Sequence, residues 1–322
     1  MKPPDEGLST AGEILPILYA GAPEQTDAWI GSLRALDPAL SFRVWPDWGD
    51  PDEIDFIIVS GSIPGDLSIF RRAKAIQSTW AGVNALLRGK FPAGVPIARM
   101  VDRGLSANMV EYLVFYTLDA LRDGRLLRAA QRDGEWLKLP LRWARELPVG
   151  ILGLGTLGRD TAVKLRRLGF PVSGWSRTPK AVDGVVTYAG SDQLGHFLAG
   201  LRVLICLLPL TDETEGILNA SLFAGLPDGA ILINAGRGGH TNESDLITAL
   251  DSGKLAYAVL DVFRDEPLPP DHVFWRRRDI VITPHIASIT RAGTGAEDIL
   301  ENYRRALAGQ ALLNPVDPAR GY

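Results

Sequence analysis

Short apolar runs alternate along the chain with longer stretches whose apolar residues recur at helical spacing. Ile14–Tyr19, Ser41–Trp45 and Ile54–Ser60 predict strands, and the last closes on Ser60-Gly61 as a strand-to-loop signal. Glu24–Leu36 predicts a helix with Trp29, Ile30, Leu33 and Leu36 on one face. Leu67–Ala73, Ala75–Ser78 and Val83–Leu87 continue the alternation. Ser106 to about Leu127 is the longest helical pattern, with Met109, Val110, Leu113, Val114, Tyr116, Leu118 and Leu121 among its apolar positions. Further strands are predicted at Val149–Leu152, Pro171–Trp175, Val203–Leu208, Ala230–Asn234, Ala256–Leu260 and Ile280–Thr283. Helices are predicted at Thr156–Leu168, Glu243–Leu250 and Glu297–Leu307. Residues 1–13 are polar and predict a loose start. No segment repeats at a fixed period or is low in complexity.

Strands alternating with helices imply an α/β protein: parallel sheets covered by helices on both faces. Two such blocks flank the region near Arg103, and 322 residues is a length for two domains. The 34 glycines and 22 prolines fit the many turns of βα repeats. A net charge of −4 provides no global basic field for nucleic acid or an anionic membrane. The one cysteine, Cys206, excludes an intrachain disulfide and a cysteine-rich zinc site, and no metal site is expected. The first residues carry two acids where a secretion signal needs a basic start and an apolar core. The longest strongly apolar run, Val203–Leu210, is too short to cross a bilayer, so the expected location is cytoplasmic.

One segment narrows the chemistry. Val149-Gly150-Ile151-Leu152-Gly153-Leu154-Gly155-Thr156-Leu157-Gly158 holds G-x-G-x-x-G between a predicted strand and a predicted helix. Gly153 permits the tight turn, Gly155 lets backbone approach a pyrophosphate, and Gly158 lets helix and strand pack closely. An acid about 20 residues on marks an NAD site. Here the next strand ends in Ser176-Arg177-Thr178-Pro179-Lys180, and no acid follows until Asp183. A guanidinium assisted by the Ser176 and Thr178 hydroxyls suits a ribose 2′-phosphate, so NADP(H) is the preferred cofactor, with NAD(H) the alternative.

Three further segments follow strand-like runs. They place Arg237 in a glycine loop after Ala230–Asn234, Glu266 on a proline-stiffened loop after Leu260-Asp261, and His285 directly after Ile282-Thr283-Pro284. Ligands of parallel sheets bind beyond the carboxyl ends of the strands, so all three are placed to converge on the nicotinamide end of a cofactor. Singly each is an ordinary residue; in order, each at a strand end, they point to a site. His196, His240 and His272 lack such a context and read as surface or loop histidines. Arg276-Arg277-Arg278 reads as a solvated face, Trp136 and Trp143 as packing residues, and Cys206 as an inert core thiol.

These residues resemble the D-isomer-specific 2-hydroxyacid dehydrogenase family, whose Arg, Glu and His motifs match Arg237, Glu266 and His285 in order and approximate spacing. Pro209-Leu210-Thr211-Asp212-Glu213-Thr214 resembles a family stretch that lines the cofactor, and the likeness runs from about Ile14 to the C-terminus. Within the family, Trp175-Ser176-Arg177-Thr178, Leu268-Pro269-Pro270 and the tail Ala319-Arg320-Gly321-Tyr322 are most similar to the glyoxylate/hydroxypyruvate reductase A type.

The resemblance implies a Rossmann NADP-binding domain, 104–287, inserted into a flavodoxin-like substrate domain made of 1–103 and 288–322. The active site would lie in a cleft between them. It implies cofactor contacts from Gly153, Gly155, Thr156, Leu157, Gly158, Ser176, Arg177, Thr178, Leu208, Pro209, Thr214, Ala235 and Arg237, with Asp261 near the nicotinamide carboxamide. It implies substrate contacts from Trp80, Ala81, Gly82, Val83, Arg237 and His285, those of the 80–83 loop through the main chain. Many relatives have Asp where this chain has Asn84. The implied reaction is NADPH-dependent reduction of small 2-keto acids, glyoxylate to glycolate and hydroxypyruvate to D-glycerate. His285 would be the general acid, Glu266 the group that orients it, and Arg237 the cation for the carboxylate and the developing alkoxide. A homodimer is implied, with the segment around Trp136 and Trp143 able to reach a neighbouring subunit. Another D-2-hydroxyacid dehydrogenase of different or broad keto-acid range, and a non-catalytic dinucleotide-sensing corepressor-like module, remain open at this point.

Overall fold

The computed structural model describes residues 15–61, 65–101 and 103–317. The expected loose start, Ile14 and the tail Ala319–Tyr322 lie outside the described residues. The chain forms two compact units: the described residues up to 101 with those from Thr290 onward, and Arg103–Ile289.

The first unit runs β1 (Ile17–Gly21), α1 (Pro23–Leu36), β2 (Phe42–Val44), β3 (Phe56–Ser60), β4 (Ala75–Ser78), α2 (Asn84–Leu87) and β5 (Ile97–Ala98). Its strands form one parallel sheet in the order β2-β1-β3-β4-β5, the flavodoxin-like winding. Both faces of the sheet are covered, so β3 is apolar at consecutive positions. Phe56 and Ile58 pack on one side, Ile57 and Val59 on the other.

The second unit runs α3 (Arg103–Leu121), α4 (Gly124–Arg132), β6 (Val149–Leu152), α5 (Thr156–Arg167), β7 (Val172–Ser176), β8 (Val186–Ala189), α6 (Leu194–Leu198), β9 (Val203–Cys206), α7 (Ala220–Ala224), β10 (Ala230–Asn234), α8 (Glu243–Asp251), β11 (Leu255–Leu260) and β12 (Ile280–Ile282). Seven parallel strands lie in the order β12-β11-β10-β9-β6-β7-β8. The chain winds outward from β6 through β7 to β8, returns to β9 beside β6, and winds the other way. That reversal is the topological switch of the Rossmann fold, and it falls at the glycine loop after β6. On β9, Val203 and Ile205 enter the core on one face, Leu204 and Cys206 the core on the other.

The last helix, α9 (Ala292–Leu307), belongs to the first unit. Its Ala296, Ile299, Leu300 and Tyr303 share a core with Trp29 and Leu33 of α1. Gly295 is the point of closest approach, because a Cβ there would lie 2.9 Å from the Trp29 ring.

Several expectations need correction. The long helix expected to about Leu127 is two helices. Asp123 takes the left-handed conformation (φ +50°), and a Cβ on Gly124 would overlap the Asp119 carboxylate, which holds Arg128 through two 2.8 Å hydrogen bonds. Leu67–Ala73 forms neither helix nor strand, and Asp66 fixes its start by accepting from the Ser68 N–H. Strands β5 and β8 have no counterpart among the expected strands. The first is only two residues long, and the second is an edge strand whose residues are half-buried or exposed. Trp136 and Trp143 are not packing residues within this chain, being 89% and 54% exposed. Neither lies in the apolar cores, and Trp143 touches Arg145 instead.

Candidate active site

The expected site residues of the second unit follow the carboxyl ends of its parallel strands, and so share one edge of the sheet. Gly153 (φ +103°) makes the turn out of β6, where a Cβ would lie 2.8 Å from the Leu207 carbonyl oxygen. Only glycine relieves both constraints. A Cβ on Gly158 would overlap the Gly153 carbonyl oxygen, so the first turn of α5 rests directly on the loop. Gly155, the N-cap of α5, has no heavy atom within 4 Å of its Cβ direction. Beside it the first-turn N–H groups, including those of Thr156 and Leu157, have no intrahelical acceptor. Open space over a helix N-terminus without a first-turn acid accommodates a pyrophosphate.

At the end of β7, Ser176 is buried and donates to the Thr178 carbonyl (2.8 Å), which fixes the start of the following loop. Arg177 stands half-exposed, 3.5 Å from Glu213. Arg177 and Lys180 line a pocket with Thr187, Tyr188 and Gln193. Trp175 ties this edge together by donating to the Gly190 carbonyl at 2.8 Å.

The loop after β9 carries Leu208, Pro209 and Thr214. Leu208 is buried, and Thr214 Oγ1 donates to the Pro209 carbonyl (2.7 Å) while accepting from the Thr211 N–H (2.8 Å). Ala235, after β10, is buried and donates its N–H to the Cys206 carbonyl. Asn234 then accepts from the Gly236 N–H and donates to the Arg237 carbonyl, curling the loop around its own side chain. The Arg237 guanidinium donates to the Gly236 carbonyl (2.6 Å). Burial presses its pKa down, and the nearby Glu266 charge opposes that pressure.

His285 has φ +53°, a conformation uncommon for a residue with a Cβ. Asp261, wholly buried, holds it there. One Asp261 oxygen accepts from Thr283 Oγ1 (2.6 Å) and the Ile286 N–H (2.9 Å), and the other from the Ala287 N–H (2.9 Å). Since Thr283 donates to Asp261, its hydroxyl accepts from Tyr112 at 2.7 Å. The His285 N–H itself bonds the Asp261 carbonyl. Asp261 was expected near a carboxamide; the structure engages its carboxylate with the loop that carries His285.

His285 Nδ1 lies 2.7 Å from one Glu266 oxygen, and the other accepts from the Phe263 N–H at 2.8 Å. Burial alone would raise the Glu266 pKa. The hydrogen bonds from His285 and Phe263, with the charges of His285 and Arg237, outweigh it and hold the carboxyl below its ordinary range. Glu266 is thus an ionised group that both His285 and Arg237 feel, and the three residues form one electrostatic cluster.

In the first unit, Trp80–Val83 follow the carboxyl end of β4. Trp80 is partly exposed, and its N–H is bound by Ser78 Oγ (3.0 Å). The main-chain N–H groups of Ala81, Gly82 and Val83 find no hydrogen-bond acceptor among the described residues. Adjacent free N–H groups at a sheet edge suit an anion.

Sequence reasoning missed His240. It is not a surface histidine but fully buried, where the loops after β9 and β10 meet. Cys206 is buried as expected, and burial pushes its thiol up to about 12. Of the Arg276–Arg278 run, Arg277 is not simply solvated, since it bridges Asp251 and Asp279. His272 lies in a loop, paired with Glu243 at 3.2 Å. Among the described residues no cluster of potential metal ligands occurs, and no helix is long and apolar enough to cross a membrane.

A Rossmann domain whose sheet edge gathers a glycine loop, an arginine and a carboxylate–histidine pair defines a nucleotide-dependent oxidoreductase. The family profile "D-isomer specific 2-hydroxyacid dehydrogenase, NAD binding domain" matches residues 114–287. The chain is 41% identical over 302 residues to glyoxylate/hydroxypyruvate reductase A of Serratia proteamaculans, covering 92% of this chain and 96% of that one. Among solved structures, a D-isomer specific 2-hydroxyacid dehydrogenase from Xanthobacter autotrophicus Py2, in complex with NADPH and MES, is 41% identical with a TM-score of 0.92. The match covers 96% of this chain and all of that one. An NADPH-dependent glyoxylate/hydroxypyruvate reductase from Sinorhizobium meliloti, in complex with NADP and sulfate, is 36% identical with a TM-score of 0.87, over 96% of this chain and all of that one. The chain belongs to the D-isomer-specific 2-hydroxyacid dehydrogenase family.

Proposed function

We propose that this protein is an NADPH-dependent reductase of glyoxylate and hydroxypyruvate, forming glycolate and D-glycerate. The observation that carries the reading is the His285–Glu266 pair at 2.7 Å on the sheet edge that holds the glycine loop, in a chain 41% identical to a glyoxylate/hydroxypyruvate reductase A.

The residues present fit the cofactor. The space over Gly155 and the α5 N-terminus would receive the pyrophosphate, Leu208–Thr214 and Ala235 would line the nicotinamide half, and Arg177 with Ser176 and Thr178 would take the 2′-phosphate. The Arg177–Glu213 contact is exposed and long, at 3.5 Å, and so worth little. Bound NADPH supplies the hydride.

The chain's own residues supply the rest. His285 donates the proton from Nε2 to the carbonyl oxygen, since Nδ1 is committed to Glu266. Glu266, held ionised, pairs with Nδ1 and fixes the plane of the ring. Arg237 pairs with the substrate carboxylate and polarises the carbonyl. In the first unit, the N–H groups of Ala81, Gly82 and Val83 offer a binding loop for a small carboxylate.

We assign residues 104–287 to cofactor binding and 1–103 with 288–322 to substrate binding. The exposed Trp136, Leu141 and Trp143, with Phe115, support a homodimer formed through this arm. The single cysteine and the composition support a cytoplasmic location. Steady-state NADPH oxidation with glyoxylate, hydroxypyruvate, pyruvate and phenylpyruvate tests the function. The first two should be the best substrates by kcat/KM. Tight NADPH binding without turnover of any keto acid would replace the enzyme by a dinucleotide-sensing module.

A further inference from the structure

His240 lies between two loops that the reaction needs. Its Nδ1 accepts the Arg237 N–H at 3.0 Å, and its Nε2 faces the Pro209 carbonyl oxygen at 3.2 Å. The ring is completely buried, and the enclosure is tight. A Cβ on Gly236 would lie 3.0 Å from two of its ring atoms, and one on Gly238 would overlap the Phe263 carbonyl. The His240 carbonyl in turn accepts the Leu218 N–H, and the Gly239 carbonyl accepts the Gly216 N–H. The imidazole therefore stands where the Arg237 loop and the loop from Leu208 to Thr214 meet.

These contacts dictate the state of the ring. The Arg237 N–H can only donate, so Nδ1 presents a lone pair. The Pro209 carbonyl can only accept, so the single proton of a neutral ring sits on Nε2. A second proton on Nδ1 would point at the Arg237 N–H. The other groups facing the ring are the Arg237 guanidinium, Glu215 and the Cys206 thiol, whose Sγ is 3.7 Å from Nδ1. Glu215 is engaged by Arg264 at 2.8 Å. Burial, with the Arg237 charge, holds the His240 pKa below the ordinary histidine value against the opposing pull of the Pro209 carbonyl and Glu215.

We propose that His240 is a positioning residue, a neutral imidazole strut that sets the Arg237 loop and the cofactor-lining Pro209 loop at a fixed spacing, one through each ring nitrogen. The proposal rests on the reading of Arg237 as the substrate's cation. Its consequence is separable control: the Nδ1 contact governs keto-acid recognition, and the Nε2 contact governs the cofactor loop.

Two conservative variants separate the contacts. His240→Asn offers an amide oxygen at the Nδ1 position and gives up the reach to Pro209. His240→Gln extends its amide to the Nε2 position and gives up the acceptor for Arg237. In the full chain, His240→Gln is expected to raise KM for glyoxylate about tenfold with the NADPH Kd changed less than about twofold, and His240→Asn to show the reverse. Equal losses in both constants for both variants, as a merely structural residue would give, overturn the proposal, and so does no change in either. Arg237→Met is measured alongside. If it leaves the glyoxylate KM untouched, the reading of Arg237 fails. If it raises KM while the His240 variants do not split, the strut alone fails. Should both variants fail to fold, nitrogen-15 NMR of the histidine-labelled wild type decides. One of the four histidines is expected to stay neutral and Nε2-protonated below the ordinary histidine pKa, and ordinary titration of all four overturns the proposal.

Discussion

His285 Nδ1 and Glu266 Oε2 stand 2.7 Å apart, and the second Glu266 oxygen is held by the Phe263 N–H. The carboxylate is thus anchored by the main chain before it meets the imidazole, so its direction does not depend on the histidine. Glu266→Gln keeps the shape and removes the charge. It is expected to lower kcat for glyoxylate by about a hundredfold, because the ring loses the charged partner that fixes its plane. Steady-state kcat with glyoxylate checks it.

The same pair gives a stability prediction. The Glu266 carboxyl has a lower pKa folded than unfolded, so its contribution is fully present above the ordinary glutamate range and is lost as pH falls through the lower folded value. The melting-temperature difference between wild type and Glu266→Gln should therefore be widest near neutrality and close toward acid. Thermal melts across about pH 3 to pH 7 measure this. A difference that grows toward acid contradicts the assignment.

Arg177 is expected to carry the choice of cofactor. Arg177→Asp replaces a bidentate donor with a repelling charge, and should raise KM for NADPH by about a hundredfold while changing KM for NADH by less than about threefold. Equal changes with both cofactors remove Arg177 from the 2′-phosphate site.

Asp261 and Thr283 are expected to act through the loop they hold rather than on a ligand. Thr283→Val breaks the Tyr112–Thr283–Asp261 chain but leaves the main-chain donors of Ile286 and Ala287 in place. It should lower kcat about tenfold and leave the NADPH Kd unchanged. Asp261→Leu removes the acceptor for both N–H groups and should cost stability as well, by about 2–3 kcal/mol. Chemical denaturation together with single-turnover rates separates the two effects.

Gly158 tests the floor of the cofactor loop. Gly158→Ala drives a methyl into the Gly153 carbonyl, so α5 must move away from β6. The expected result is loss of NADPH binding by more than about tenfold with a lowered melting temperature. Gly155→Ala, over open space, should keep the melting temperature and weaken only the cofactor.

Much of the candidate site is legible in the sequence because its signals are local. A glycine triad between an apolar strand and a helix, an arginine at the next strand end, and Arg237, Glu266 and His285 each just past an apolar run all lie within a few residues of the strand that positions them. What could not be read depends on side-chain contacts and strand pairing rather than on periodicity. Strand β8 lies at the sheet edge beside β7, and a run of only four residues does not stand out from a loop. The break after α3 turns on Asp123 and Gly124 meeting Asp119 and Arg128, not on periodicity.

Chain order and composition by themselves determined the alternation of strands and helices, the two winding blocks, the glycine loop and the edge of the sheet on which the chemistry gathers. Parallel strands connected through helices allow few other arrangements. The tertiary structure alone decided which polar groups are occupied. It turned Asp261 into the clamp of the His285 loop, left Trp136 exposed, and buried His240 between Arg237 and Pro209. The physical reason is that burial and hydrogen-bond satisfaction are properties of loops that meet in space, and those loops are separated by dozens of residues along the chain.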